Sequence, residues 1–322
     1  MNAAAKARLY FLAVLVFSQC WGAPAADVHH YVFFNQDRER IAEASFLQSK
    51  FDGAQLKYTW RQLEHPKDQY DFGGMEHDLA FLQSKGKKLF IQIQDASFDL
   101  NIRPFPHYLL EDPAYHGGAD KQYGDHDVAY GWMARRWDPA VQERFHRLLL
   151  ALGREFDGRV EGINLPETAF DVASDKTLWP AGFTPENYCD AIITNLIVLK
   201  QAFQKSVAIQ YANFMPGDRR YLERVYQRAR ELKVGLGGPD LLPYKPFQME
   251  NSYPLLQQAA GCVPTGIAVQ DGNYDHQNPK TGQQVTIPEL VRFATEYLKV
   301  DYIFWCTQEP YYSQKVIPFI GR

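Results

Sequence analysis

Val160-Glu161-Gly162-Ile163-Asn164-Leu165-Pro166-Glu167 is a short apolar run that closes on a proline and a carboxylate, close to midway along the 322-residue chain. The residues on either side repeat one pattern. Strands are predicted at 30–35, 54–60, 88–94, 160–165, 207–211, 234–237, 266–270 and 302–307, from runs rich in β-branched and aromatic residues. Helical spacing of apolar residues is clearest at 78–85, 139–156, 185–204, 219–232 and 288–298, several of them with proline in the first turn. Alternating strands and helices imply a parallel sheet, and eight such units favour closure into a single (β/α)8 TIM barrel. No GxGxxG follows the first strand, which argues against an open dinucleotide-binding sheet. In the barrel, 160–165 is the fourth strand, and Glu167 stands just beyond its carboxyl end. Barrel enzymes carry their chemistry at that end, so Glu167 is a candidate proton donor.

Composition is consistent with a large core. The chain is 46% hydrophobic with a formal charge of -4, which fits a folded, core-forming protein better than a disordered tail and argues against a nucleic-acid partner. Six Trp, 19 Tyr and 21 Phe supply flat apolar faces suited to sugar rings, although most such rings belong to cores. The amino terminus has the pattern of an export signal: Lys6 and Arg8, an apolar stretch over 9–17, and the small-residue pattern Ala23-Pro24-Ala25. The predicted layout is a signal peptide at 1–25 and a barrel at 26–322, with the mature protein periplasmic or extracellular. The apolar stretch is too short to span a bilayer, so no membrane association is expected after cleavage. Phe17-Ser18-Gln19 before Cys20 lacks the small residue of a lipid-attachment site.

Cys189, Cys262 and Cys306 lie beyond the signal, none in a CxxC or Cys/His pattern, and each is expected as a buried free thiol. At most one disulfide is possible among them. The histidines show no metal-ligand spacing, and no cofactor is expected. The longest irregular stretch, 96–138 after the third strand, holds Pro104, Pro106, Tyr108, Tyr115, Tyr123, Tyr130 and Trp132. It is too aromatic for a linker and is expected to fold over the barrel mouth. Polar residues interrupt the strands in register: Gln55, Lys57, Thr59 and Arg61 share one parity, as do Gln92 and Gln94, and Gln210 sits in the fifth strand. Both faces of a barrel strand are buried, so these side chains need partners, and a ligand-facing lumen supplies them.

Two blocks carry a family resemblance. Tyr58-Thr59-Trp60-Arg61-Gln62-Leu63-Glu64-His65-Pro66 is followed by Gln69-Tyr70-Asp71-Phe72, then Leu79, Phe81 and Leu82, then Gly86-Lys87-Lys88-Leu89. This region resembles the second and third strands of barrel glycoside hydrolases, and the likeness extends through Arg136-Trp137-Asp138-Pro139 and Glu167 to Trp305. The resemblance implies hydrolysis of an oligo- or polysaccharide by two carboxylates, one ending strand four and one ending strand seven. Glu167 matches the first position, preceded by Pro166 where many members carry Asn. After Ile267-Ala268-Val269 the chain reads Gln270-Asp271-Gly272, so the available carboxylate is Asp271, one methylene shorter than the usual glutamate; Glu309, beyond strand eight, is the other candidate. Substrate-binding candidates are Trp60, Arg61, Gln94, Asp95, Asn164, Gln210, Asn213, Asp240 and Trp305. The unusual strand-seven position suggests one alternative, a carbohydrate-binding barrel without turnover; another is a different enzyme on the same fold, such as a polysaccharide lyase, because a fold alone does not fix chemistry.

Overall fold

The computed structural model describes residues 28–35 and 37–321; the predicted signal segment 1–25 lies outside the described residues. Eight parallel strands close on themselves: β1 (His29–Asn35), β2 (Gly53–Thr59), β3 (Lys88–Gln94), β4 (Gly162–Leu165), β5 (Val207–Tyr211), β6 (Gly235–Gly238), β7 (Thr265–Val269) and β8 (Tyr302–Cys306). Each strand pairs in parallel with its sequence neighbours, and β1 pairs with β8, which is the (β/α)8 TIM barrel predicted. The helices Pro139–Phe156, Pro185–Ala202 and Arg219–Leu232 return the chain between strands. Each begins at a side-chain cap. Asp138 accepts from Ala140 N and Val141 N, Thr184 from Asn187 N, and Asp218 from Arg220 N, meeting backbone donors that a helix start leaves open.

Alternation along each strand decides what fills the lumen. Tyr31, Phe90, Tyr302 and Phe304 point inward and pack ring against ring, with Phe90 and Phe304 centroids 4.9 Å apart at 74°. Glycine on a neighbouring strand makes the room: a Cβ on Gly162 would lie 2.5 Å from Phe90 Cζ. Toward the carboxyl ends the lumen turns polar. Gln55 Nε2 donates to Asn164 Oδ1 at 2.7 Å and to the Tyr211 hydroxyl at 3.3 Å, so part of the polar layer satisfies itself. Gln55 Oε1 and Gln92 Oε1 are buried without a partner.

Several expectations need correction. The stretch 96–138 is not irregular: Ala96–Ser97, Ala119–Tyr123 and Ala129–Ala134 form an antiparallel sheet beside the barrel. Its strands are short, Gly131 breaks the longest, and prolines fill the segment between the first two, so no alternation shows in the sequence. β2 ends at Thr59 because Thr59 and Gln62 form a reciprocal capping box that starts the helical turn Trp60–Leu63. Arg61 therefore leaves the strand parity and is exposed. In β5 the inward residues are Ile209 and Tyr211, while Gln210 is fixed by donating to the carbonyls of Pro166 and Tyr211 at 2.6 and 2.9 Å. Cys189 and Cys306 are buried free thiols as expected, whereas Cys262 is disulfide-bonded.

Candidate active site

At the carboxyl end of the barrel lies a cavity of about 250 Å³. Strand ends supply Asn35, Lys57, Thr59, Gln92, Gln94 and Tyr211; Glu167, Pro239 and Gln270 follow β4, β6 and β7. The segment after β3 contributes Ala96, Ser97, Phe98, Ile102 and Pro104, so the inserted sheet and its loop form one wall. Ser97 Oγ donates to the carbonyls of Asp99 and Ile102 at 2.9 and 2.6 Å and holds that loop folded. Farther along the insert, the Tyr130 hydroxyl donates to Asp171, and Ser174 donates from its backbone and hydroxyl to Asp127. The insert is thereby tied to the loop that follows β4.

Glu167 is the one carboxylate lining the cavity among the described residues. Burial pushes its pKa up to about 7, because a carboxylate loses hydration there, and the nearby charge of Asp240 adds to the shift. Asn213 Nδ2 donates to Glu167 Oε2 at 2.8 Å and opposes it by favouring the ionised form. Arg136 also favours the ionised form through its positive charge, and its Nη1 donates to the Glu167 main-chain carbonyl at 2.8 Å. The result is a carboxyl that titrates near neutrality at a strand end, the property required of a general acid.

The other candidate residues divide sharply. Gln94 lines the cavity, and Asn213 touches Glu167. Asp240 lies behind Pro239, accepts from Asn273 Nδ2 at 3.1 Å, and has its own pKa raised by burial. Asn164 is fully buried below the cavity against Gln55. Asp95 does not reach the cavity, because it is paired with buried Arg136 at 2.5 and 2.9 Å. Trp60 is sealed in the helix layer, donating to Glu64 Oε2 at 2.8 Å and packing edge-on against Phe145. Glu64 in turn pairs with Arg144, so the Trp and Leu-Glu of the resembling block do structural work. Trp305 faces away from the lumen and donates to His30 Nδ1 at 3.0 Å, a consequence of its parity with Ile303.

The two second-carboxylate candidates also part company. The cavity wall at the end of β7 is Gln270; Asp271 follows it on the exposed rim, close enough for its charge to act on Lys57. Glu309 turns outward, accepting from Ser313 Oγ at 2.6 Å and facing Arg40 at 3.8 Å. The cavity also takes in Lys57, Thr59, Gln92, Tyr211 and Phe98, beyond the substrate-binding residues expected from the sequence. Strand parity marked Lys57, Thr59 and Gln92 as inward, but it gives no height along the barrel. No group of His, Cys, Asp and Glu among the described residues is arranged to hold a metal.

Neither a protein-family model nor a curated protein matches the sequence. Solved structures do match. A thermostable mutant of a xylanase from Cellvibrio japonicus aligns at TM-score 0.52 and 13% identity, over 87% of this chain and 87% of that one. A β-galactosidase from Bacillus circulans sp. alkalophilus aligns at TM-score 0.58 and 10% identity, over 87% of this chain and 50% of that one. A family 39 glycoside hydrolase from Bacteroides cellulosilyticus aligns at TM-score 0.51 and 10% identity, over 86% of this chain and 56% of that one. The chain thus spans about half the length of the last two. It shares the (β/α)8 barrel fold of these glycoside hydrolases at low sequence identity.

Proposed function

We propose that the protein hydrolyses a glycosidic bond, with Glu167 as the general acid and Asp271 as the second carboxylate. The observation that carries this reading is Glu167 itself: a single carboxyl lining the mouth cavity, lifted to about 7 by burial, at the end of β4. Such a group holds its proton at mildly acidic pH and delivers it to a departing glycosidic oxygen. Asp271 is preferred to Glu309 because its charge reaches Lys57 in the cavity, whereas Glu309 is engaged with Ser313 outside it. The ionised partner stabilises positive charge developing at the anomeric carbon.

The test compares Glu167→Gln, Asp271→Asn and Glu309→Gln on an unactivated oligosaccharide and on an activated aryl glycoside. Loss of the acid slows the natural substrate by about 10² to 10⁴ and spares the activated one, since a good leaving group needs no proton. Loss of the second carboxylate removes both activities. Full activity of Glu167→Gln on the natural sugar refutes the assignment. A second reading, a carbohydrate-binding barrel without turnover, draws support from Gln270 occupying the cavity wall at the β7 end. It requires sugar binding with no product release from any substrate.

A further inference from the structure

Lys57 is the least explained residue of the cavity. It comes from the inward face of β2, and its ammonium lies 5.4 Å from the centroid of the Phe33 ring. Among the described residues no hydrogen bond or ion pair engages it, although the charges of Glu167 and Asp271 both act on it from beyond contact distance. Burial lowers its pKa, which is the mark of a cation held with too little hydration. A charge in that position is costly unless something supplies an acceptor. Glu167 is a poor partner because it is itself driven toward the neutral form.

Two further cations, both exposed, stand along the inserted wall. Arg103 lies between Ile102 and Pro104, both of which line the cavity, and its guanidinium sits 5.0 Å from the Trp132 ring centroid. Lys121, opposite Trp132 in the inserted sheet, places its ammonium 5.8 Å from the same ring. Neither forms an ion pair among the described residues; this sets Arg103 apart from most described arginines, such as Arg38, Arg135, Arg136, Arg144, Arg159 and Arg224, whereas Lys121 is like most described lysines. Unpaired cations therefore run from the cavity to the aromatic face of the insert.

We propose that the glycan taken by this cavity is acidic: a uronic-acid-containing chain whose sugar carboxylate accepts from Lys57, with further carboxylates meeting Arg103 and Lys121 beside Trp132. The inference rests on the carbohydrate reading above and names its substrate class. A sugar carboxylate supplies the acceptor oxygens that Lys57 lacks and a negative charge at contact, where Asp271 acts only from farther off, in a site where charge-assisted hydrogen bonds are strong. A neutral hydroxyl supplies an acceptor but leaves the charge uncompensated.

Calorimetric titration of the full chain with two matched pairs, glucuronate against glucose and galacturonate against galactose, tests the proposal. The expected result is that at least one uronate binds about tenfold or more tighter than its neutral partner, with the margin shrinking as salt is added. Lys57→Met should reduce that ratio to near one without lowering the melting temperature, because it removes a poorly solvated charge. Neutral sugars that bind as tightly as both uronates, or a preference that survives in Lys57→Met, overturn the acidic-glycan proposal and leave the carbohydrate reading standing. Failure of all four sugars to bind overturns the proposal together with the carbohydrate reading.

Discussion

Arg136 Nη1 reaches the main-chain carbonyl of Glu167 at 2.8 Å while the same guanidinium holds Asp95 through Nε and Nη2 at 2.9 and 2.5 Å. The residue that follows the inserted sheet thus clamps the end of β3 to the end of β4. Tyr188 completes the set, with its hydroxyl accepting from Arg136 at 2.8 Å and donating to the Thr168 carbonyl at 3.0 Å. Arg136→Met leaves Asp95 buried and unpaired, so unfolding free energy should drop by about 3 to 5 kcal/mol. Denaturant titration measures it. An unchanged midpoint would mean that water reaches Asp95 and that the clamp does not fix Glu167.

The raised pKa of Glu167 makes two pH predictions with definite signs. Activity that needs the protonated acid should fall as pH rises through about 7. Stability should also fall with rising pH between 4.5 and about 7, because in that window the folded state binds the proton more tightly than the unfolded chain does. Above 7 this contribution is constant. The whole effect is at most about 3 kcal/mol. Glu167→Gln should flatten this part of the stability profile, as measured by melting at a series of pH values.

The barrel was legible from the sequence because apolar runs mark most strands and the long helices Pro139–Phe156, Pro185–Ala202 and Arg219–Leu232 open on visible caps. Pro139–Phe156 and Arg219–Leu232 match their predicted bounds for that reason. Glu167 was legible too, since a residue just past an apolar run in a parallel barrel has only one end to occupy. The inserted sheet was not, because strands such as Ala96–Ser97 are too short to show a period. Trp60, Asp95 and Trp305 depart from expectation for a common reason: residue type and proximity to a strand end do not say which face a side chain takes. Trp305 is neighbour to inward Phe304 and Cys306, and one step of parity turns it to His30.

Asn213 provides a finer test of how Glu167 is tuned. Its Nδ2 donates to Glu167 Oε2, which stabilises the carboxylate and holds the pKa below what burial alone would set. Asn213→Ala removes that donor, so the alkaline limb of the kcat/KM profile should move up by about one pH unit. A limb that stays in place or moves down would assign the shift to another group.

Phe98 offers the clearest test of the inserted wall. The ring lines the cavity, stacks on Tyr130 at 5.9 Å and 12°, and is 57% exposed, so it contributes face to a ligand and little to the core. Trp132, next but one to Tyr130, donates to the Leu100 carbonyl at 2.9 Å, and a sugar that settles the 98–103 loop should therefore change its fluorescence. Phe98→Ala removes a stacking face worth about 0.5 to 1.5 kcal/mol, and KM should rise by about threefold to tenfold. The melting temperature should hardly move, because a substitution at an exposed position leaves no cavity behind. A large loss of stability with unchanged KM would make Phe98 a packing residue, and the glycan would then have to leave the cavity over a different wall.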